Sequence, residues 1–234
     1  NIDKTSPNKP VLTAPKSPTS TKFITIAGSG ATDKIGADEI VSKPIEVLLY
    51  RVGETSTPTA RVSADASGNF TFPNVELKED PSNGNRNIFY VIAEDAAKGS
   101  PGNLSEQSAT IMVVYDVGPS SVSALAIAGV GLASTTIPTS DYYGPGNYQV
   151  TVTFNEEMDS TVNPTIAYTP ANGTAQSSNS GSWTASNTFT GQISIPAGQG
   201  LTFDGPVQTL VVSNAKDSAG NVMAAATTPN PFRI

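Results

Sequence analysis

Glu156 and Glu157 stand side by side, with Asp159 two residues further on, separated only by Asn155 from the alternating run Tyr148 to Phe154. Paired carboxylates cleave glycosidic bonds, but they must face the sugar from opposite sides, about 5–9.5 Å apart. Neighbours leaving a strand at i and i+1 point in different directions, so this pair does not read as catalytic. The 234 residues include no cysteine and no histidine. That excludes disulfides, thiolate nucleophiles, His or Cys zinc sites and a Ser-His-Asp triad. Acid–base work would fall to Asp, Glu, Lys or Tyr, and no motif supports a Ser-Lys dyad. Carboxylates suit hard cations, and Ca²⁺ takes roughly six to eight oxygens at about 2.3–2.6 Å. No EF-hand loop or glycine-rich nonapeptide is present.

The overall charge points the same way. A formal net charge of -7 disfavours nucleic acid and anionic membrane and is compatible with divalent cations. Charged residues make up only 14% of the chain, so most of the surface is neutral. No run approaches the ~20 apolar residues of a spanning helix. The polar start Asn1-Ile2-Asp3-Lys4 is not a signal peptide, and the absence of an initial Met reads as a processed or excised fragment.

The elements that must position the acids are short strands. The 20 Gly and 18 Pro exceed the ~12% these residues usually contribute, which fits many tight turns. In the first half, strand signals lie at 10–15, 23–27, 45–50, 60–64, 69–72, 87–93 and 109–115. In the second half they lie at 122–128, 148–154, 165–168, 182–185, 188–195, 208–213 and 222–227. The clearest puts Tyr148, Val150, Val152 and Phe154 on one face and Gln149, Thr151 and Thr153 on the other. No window has a convincing helical period. The core is expected to take Val47, Leu49, Phe89, Val91 and Val113 in the first half. In the second half it is expected to take Val150, Val152, Phe154, Trp183 and Val211. Trp183, the only tryptophan, reads as core beside Phe154 and Phe189 rather than as a sugar platform. Tyr142-Tyr143 before Gly144-Pro145-Gly146 reads as a turn.

Composition changes near residue 116. The first 116 residues hold 11 Lys or Arg and 14 Asp or Glu; the remaining 118 hold 2 and 6, with 30 Ser or Thr. The short Gly118-Pro119-Ser120-Ser121 stretch marks the seam, giving domains at 1–116 and 117–234. Asp-x-x-Gly-Asn occurs in both halves, at Asp65–Asn69 and Asp217–Asn221, with a looser relative from Glu94 to Asn103. Asp caps such a turn and Gly takes the left-handed position, so these read as hairpin turns.

These motifs carry a resemblance. The first half is similar to bacterial Ig-like repeats of very large surface adhesins, through Asp3-Lys4-Thr5-Ser6-Pro7, Ile24–Gly28, Asp65–Phe70 and Ala93–Ala96. The second half resembles another bacterial Ig-like repeat of adhesin and surface-layer chains. Its match runs through Val150–Asp159, Gly181-Ser182-Trp183 and Ala215–Asn221. The resemblance implies an all-β chain, two Ig-like Greek-key β-sandwich domains in tandem. Both chain ends look like seams to neighbouring Ig-like repeats.

In that topology the carboxylates sort by end. Asp116, Glu156, Glu157, Asp159 and Asp217 gather at the N-terminal end of the second domain, and Glu79 and Asp80 are expected at the same junction. Asp3, Asp33, Asp38, Glu39, Glu94 and Asp95 gather at the far end of the first. The expected ligand is structural Ca²⁺ at one or both ends. The resemblance implies a non-enzymatic extender at the bacterial cell surface, extracellular, projecting a binding region whose target lies elsewhere. Two other functions fit the sequence. One is a subunit of a self-assembling layer or filament with lateral self-association. The other is a carbohydrate-binding accessory module of a secreted enzyme.

Overall fold

The structure is a computed structural model, described for residues 5–33, 45–54, 57–95, 102–129, 145–168, 175–196 and 210–227. It is all-β, with four antiparallel sheets, and a three-residue 3₁₀ turn at Pro81–Asn83 is the one helical element among the described residues. The chain divides into two compact units, Asn1–Asp116 and Val117–Ile234.

In the first unit, β1 (Val11–Thr13), β2 (Phe23–Ser29) and β5 (Phe70–Glu76) form one sheet in the order β1-β2-β5. The other sheet runs β4-β3-β6-β7, from β3 (Glu46–Arg51), β4 (Ala60–Ser63), β6 (Arg86–Glu94) and β7 (Ile111–Val114). Their inner faces share one core. Ile26, Phe70, Phe72 and Val75 enter it from the first sheet; Val47, Leu49, Phe89, Val91 and Val113 enter it from the second. Every apolar residue expected in this core is fully buried.

Alternation explains these strands, and one exception shows how strictly it is kept. Ile24 pairs with Val75 but Ile26 pairs with Phe72, so Pro73 and Asn74 together oppose a single residue of β2. The bulge accommodates a proline that cannot donate to the ladder, and Asn74 takes φ 56°. The extra residue also restores phase, so Val75 still points inward.

One inward position of β6 is polar. Asn87 is buried and bonded on both sides of its amide. Its oxygen accepts from the Lys78 N–H at 2.8 Å and from the Arg51 guanidinium; its Nδ2 donates to the carbonyls of Lys78 at 3.0 Å and Asn85 at 3.1 Å. Arg51 is itself buried, lies 4.9 Å from the centre of the Phe89 ring and pairs with Glu54 at 3.0 Å. A buried charge is tolerable only when partnered in this way.

The second unit repeats the plan. Its first sheet runs β12-β13-β9-β8, from β8 (Val122–Gly129), β9 (Gly146–Phe154), β12 (Gly181–Ala185) and β13 (Thr188–Ile195). Its second runs β11-β10-β14-β15, from β10 (Thr165–Tyr168), β11 (Gln176–Ser178), β14 (Val211–Ser213) and β15 (Ala226–Thr227). In both units the second strand pairs with the first and with a later one, and the third pairs with the fourth and with the next-to-last. The second unit adds β12 beside β13.

Its core holds Ile127, Val150, Val152, Phe154, Phe189 and Ile193 from one sheet and Ile166, Tyr168 and Val212 from the other. Trp183 is partly buried against it, with its ring 5.6 Å from Phe154 and 5.4 Å from Phe189. The expected Val211 is only half-buried, and Val212 is the inward residue of β14. Two adjacent valines in a three-residue strand carry no phase of their own, so neighbouring strands set which one turns in.

Candidate metal centre

The acids of the second unit are positioned by two loops stitched together, one after β9 and one after β14. Met158 and Asp217 form a bridge. The Asp159 N–H donates to the Lys216 carbonyl at 2.9 Å, and the Ser218 N–H donates to the Glu157 carbonyl at 3.0 Å. The backbone pairing fixes where each carboxylate leaves the chain.

Asp217 is completely buried. Its Oδ1 accepts the N–H groups of Gly220 and Asn221, each at 2.8 Å, and its Oδ2 accepts the Asn221 side-chain amide at 2.9 Å. Gly220 takes φ 101°, which a side chain would resist. An ionised carboxylate offers about four lone-pair sites, so these three bonds leave room for one further partner on Oδ2.

Two half-buried acids, Asp116 and Glu156, complete a group with Asp217 in which one carboxylate oxygen of each lies within 4.8 Å of the others. Like charges at that separation repel unless a proton or a cation lies among them. An all-carboxylate donor set suits a hard divalent ion, and three such oxygens would supply part of its shell.

The remaining acids expected at that end do not join the group. Glu157 is exposed. Asp159 caps its own turn, accepting from the N–H and hydroxyl of Thr161 at 3.0 and 2.6 Å. Glu79 is exposed, and Asp80 caps the 3₁₀ turn through the N–H of Ser82 at 3.1 Å.

Of the acids expected at the entry of the first unit, Glu94 and Asp95 are used inside the fold. Glu94 pairs with Arg61 at 3.0 Å. Asp95 is buried and accepts the Asn103 N–H at 2.8 Å and its side-chain amide at 2.9 Å. Asp33 is half-buried, while Asp3, Asp38 and Glu39 lie outside the described residues, as do Tyr142 and Tyr143.

The asparagines are what the sequence reading passed over. Asn69, Asn103 and Asn221 each return two donors to their aspartate, and the signal was the Asn that ends each motif. The Asp65–Asn69 turn is also not a hairpin within one sheet, because it leads from β4 in one sheet to β5 in the other.

No protein-family model matches the chain, and no curated protein matches it.

Proposed function

We propose that this chain is a non-enzymatic extender: two Ig-like sandwiches in series, part of a bacterial surface protein that projects a binding region away from the cell. The observation that carries this reading is the shared strand plan of the two units. The order β8-β9-β13-β12 is that of the first, second, fifth and fourth strands in the four-stranded sheet of an Ig constant-type sandwich. The first unit follows the same order with the fourth position left out. Two copies of one plan on one chain fit a repeat array, in which each unit holds its own core and contributes length. The reading places the chain outside the cell, with neighbouring repeats as its partners.

On the same reading, Asp116, Glu156 and Asp217 hold a structural Ca²⁺. The support is three mutually close carboxylates, one of them buried. The ion would supply charge neutralisation; the residues' own part is to present carboxylate oxygens.

Single-molecule pulling tests the extender reading. Two unfolding steps of similar size are expected, each releasing about 38–41 nm of chain for roughly 115 residues at ~3.3–3.6 Å per residue. Negative-stain images should show single particles. One merged unfolding step, or ordered two-dimensional lattices, would overturn it, and lattices would favour the surface-layer reading.

A further inference from the structure

The outer face of the sheet β8-β9-β13-β12 carries an uncharged polar ladder. β9 and β13 pair in unbroken register from Thr153–Thr188 to Gly146–Ile195. Alternate pairs turn away from the core. Thr153 opposes Thr188 and Thr151 opposes Thr190, followed by Gln149 opposite Gln192 and Asn147 opposite Ser194. Cross-strand neighbours stand about 4.5–5.5 Å apart, and successive pairs repeat at about 6.8 Å along the strands. Ser182 extends the Thr190 row on β12, and Ala124 and Ala126 flank the threonines on β8. None of these side chains is charged. The outer face of the four-stranded sheet in the first unit differs, since it carries Glu46, Arg61 and Glu94.

The ladder ends in a cleft. β12 stops pairing with β13 at Gly181–Gly191, and beyond that point the segment 176–180 passes beside β13 without joining it. A cleft of about 220 Å³ opens there. Asn147, Gln192 and Ser194 line one side, and Gln176, Ser178 and Ser180 line the other. The Ser194 carbonyl on this edge is already satisfied by the Tyr168 hydroxyl at 2.7 Å. Recognition in the cleft therefore falls to amide and hydroxyl side chains.

We infer that this face and its cleft bind a neutral, unbranched oligosaccharide. Amides and hydroxyls both donate and accept, which is what adjacent sugar hydroxyls require. An ionic ligand finds no counter-charge here, and the chain's net charge of -7 opposes anions. The cleft is smaller than the ~300–1,000 Å³ of sites for drug-sized molecules, which suits a single sugar ring. Four pairs span about 20 Å, enough for further rings of the same chain. Among the described residues no aromatic ring forms part of the ladder or lines the cleft, so binding rests on hydrogen bonds and stays in the millimolar range, a Kd of ~1–10 mM.

The test is an amide NMR titration of the full chain with cellohexaose, laminarihexaose and maltohexaose, using hexagalacturonate as the anionic comparison. At least one neutral hexasaccharide should give saturable shifts confined to β9, β13 and residues 176–180. Gln192→Ala and, separately, Ser194→Ala should each weaken that binding, by about tenfold for the amide. Both should leave the melting temperature and Trp183 fluorescence unchanged. Absence of saturable shifts with all three neutral sugars overturns the inference. So do shifts confined to other surfaces, equal binding of hexagalacturonate, or unaltered affinity in both variants.

Discussion

Asp95 and Asn103 are eight residues apart, yet they exchange the same three hydrogen bonds that join Asp65 to Asn69 and Asp217 to Asn221 across four residues. In each pair the Asp N–H donates to the Asn carbonyl, at 2.8 to 3.1 Å, while the Asn N–H and side-chain amide donate to the two carboxylate oxygens. The aspartate and asparagine thus close the loop whatever its length. A longer insertion between them costs only a slowly rising loop entropy.

Removing Asp217, the most deeply buried aspartate of the set, should be costly. Asp217→Ala removes the carboxylate that accepts from the Gly220 and Asn221 N–H groups and from the Asn221 side-chain amide, with an expected loss of about 1–3 kcal/mol. Trp183 is the only tryptophan and lies in the second unit, so its fluorescence reports that unit during urea unfolding. A midpoint unchanged from wild type would mean that the turn holds its shape without the carboxylate.

The exposed copy predicts a pH effect. The backbone N–H of Asn69, followed by its side-chain amide, holds the Asp65 carboxyl below the usual carboxylate range. Because the folded value lies below the unfolded one, the stabilisation is fully present above the unfolded pKa of ~3.9. It is lost as pH falls through the folded value. Glu76 behaves in the same sense, held down by its hydrogen bond and ion pair with Lys22 at 2.9 Å. Carbon-detected NMR titration should find Asp65 ionised below the pH at which free aspartate protonates. Asp65→Asn should flatten the acid limb of the first unit's stability profile, and an unchanged limb would remove Asp65 as a contributor.

Core truncations should separate the two faces of β9 and of β14. Phe154 is 1% exposed and touches Trp183, so Phe154→Ala should cost about 3–5 kcal/mol. Val212→Ala should cost more than Val211→Ala, because only Val212 is fully buried. Equal losses at the two valines, measured by urea unfolding, would mean that β14 does not turn Val212 alone into the core.

What the sequence made legible follows from where its signals are strong. β9 could be read directly, since Val150, Val152 and Phe154 alternate with Gln149, Thr151 and Thr153 over a full strand. β11 could not. Gln176-Ser177-Ser178 offers no apolar residue and is a strand because Ile166, Ala167 and Tyr168 of β10 lend it a partner. The carboxylate group was legible only in part. Chain topology can bring acids to one end of a sandwich, but sequence spacing does not say which of them local hydrogen bonds draw into their own turns. Asp159 and Asp80 turned to cap their own loops, and Asp95 turned to Asn103.

The final prediction concerns the three acids that do converge. Asp116, Glu156 and Asp217 keep an oxygen each within 4.8 Å of one another, and mutual repulsion makes that arrangement costly without a counter-charge. Ca²⁺ that binds only the folded chain stabilises it by linkage. At 10 mM ion and a dissociation constant of ~0.1 mM, typical of extracellular sites, the gain is about 2.7 kcal/mol. Melting followed by Trp183 fluorescence should therefore rise by several degrees in CaCl₂. MgCl₂ should do less, since Mg²⁺ gives up its waters reluctantly and demands a tighter octahedral shell. Glu156→Gln is the informative variant: it removes one charge at nearly constant volume and leaves the Asp217 turn intact. It should melt at or above the wild-type temperature in EDTA, because one repulsive charge is gone, and should lose most of the Ca²⁺ response. A wild-type melting temperature that does not move between EDTA and 10 mM CaCl₂ would leave the three carboxylates without a calcium role, their repulsion relieved by protonation or by water instead.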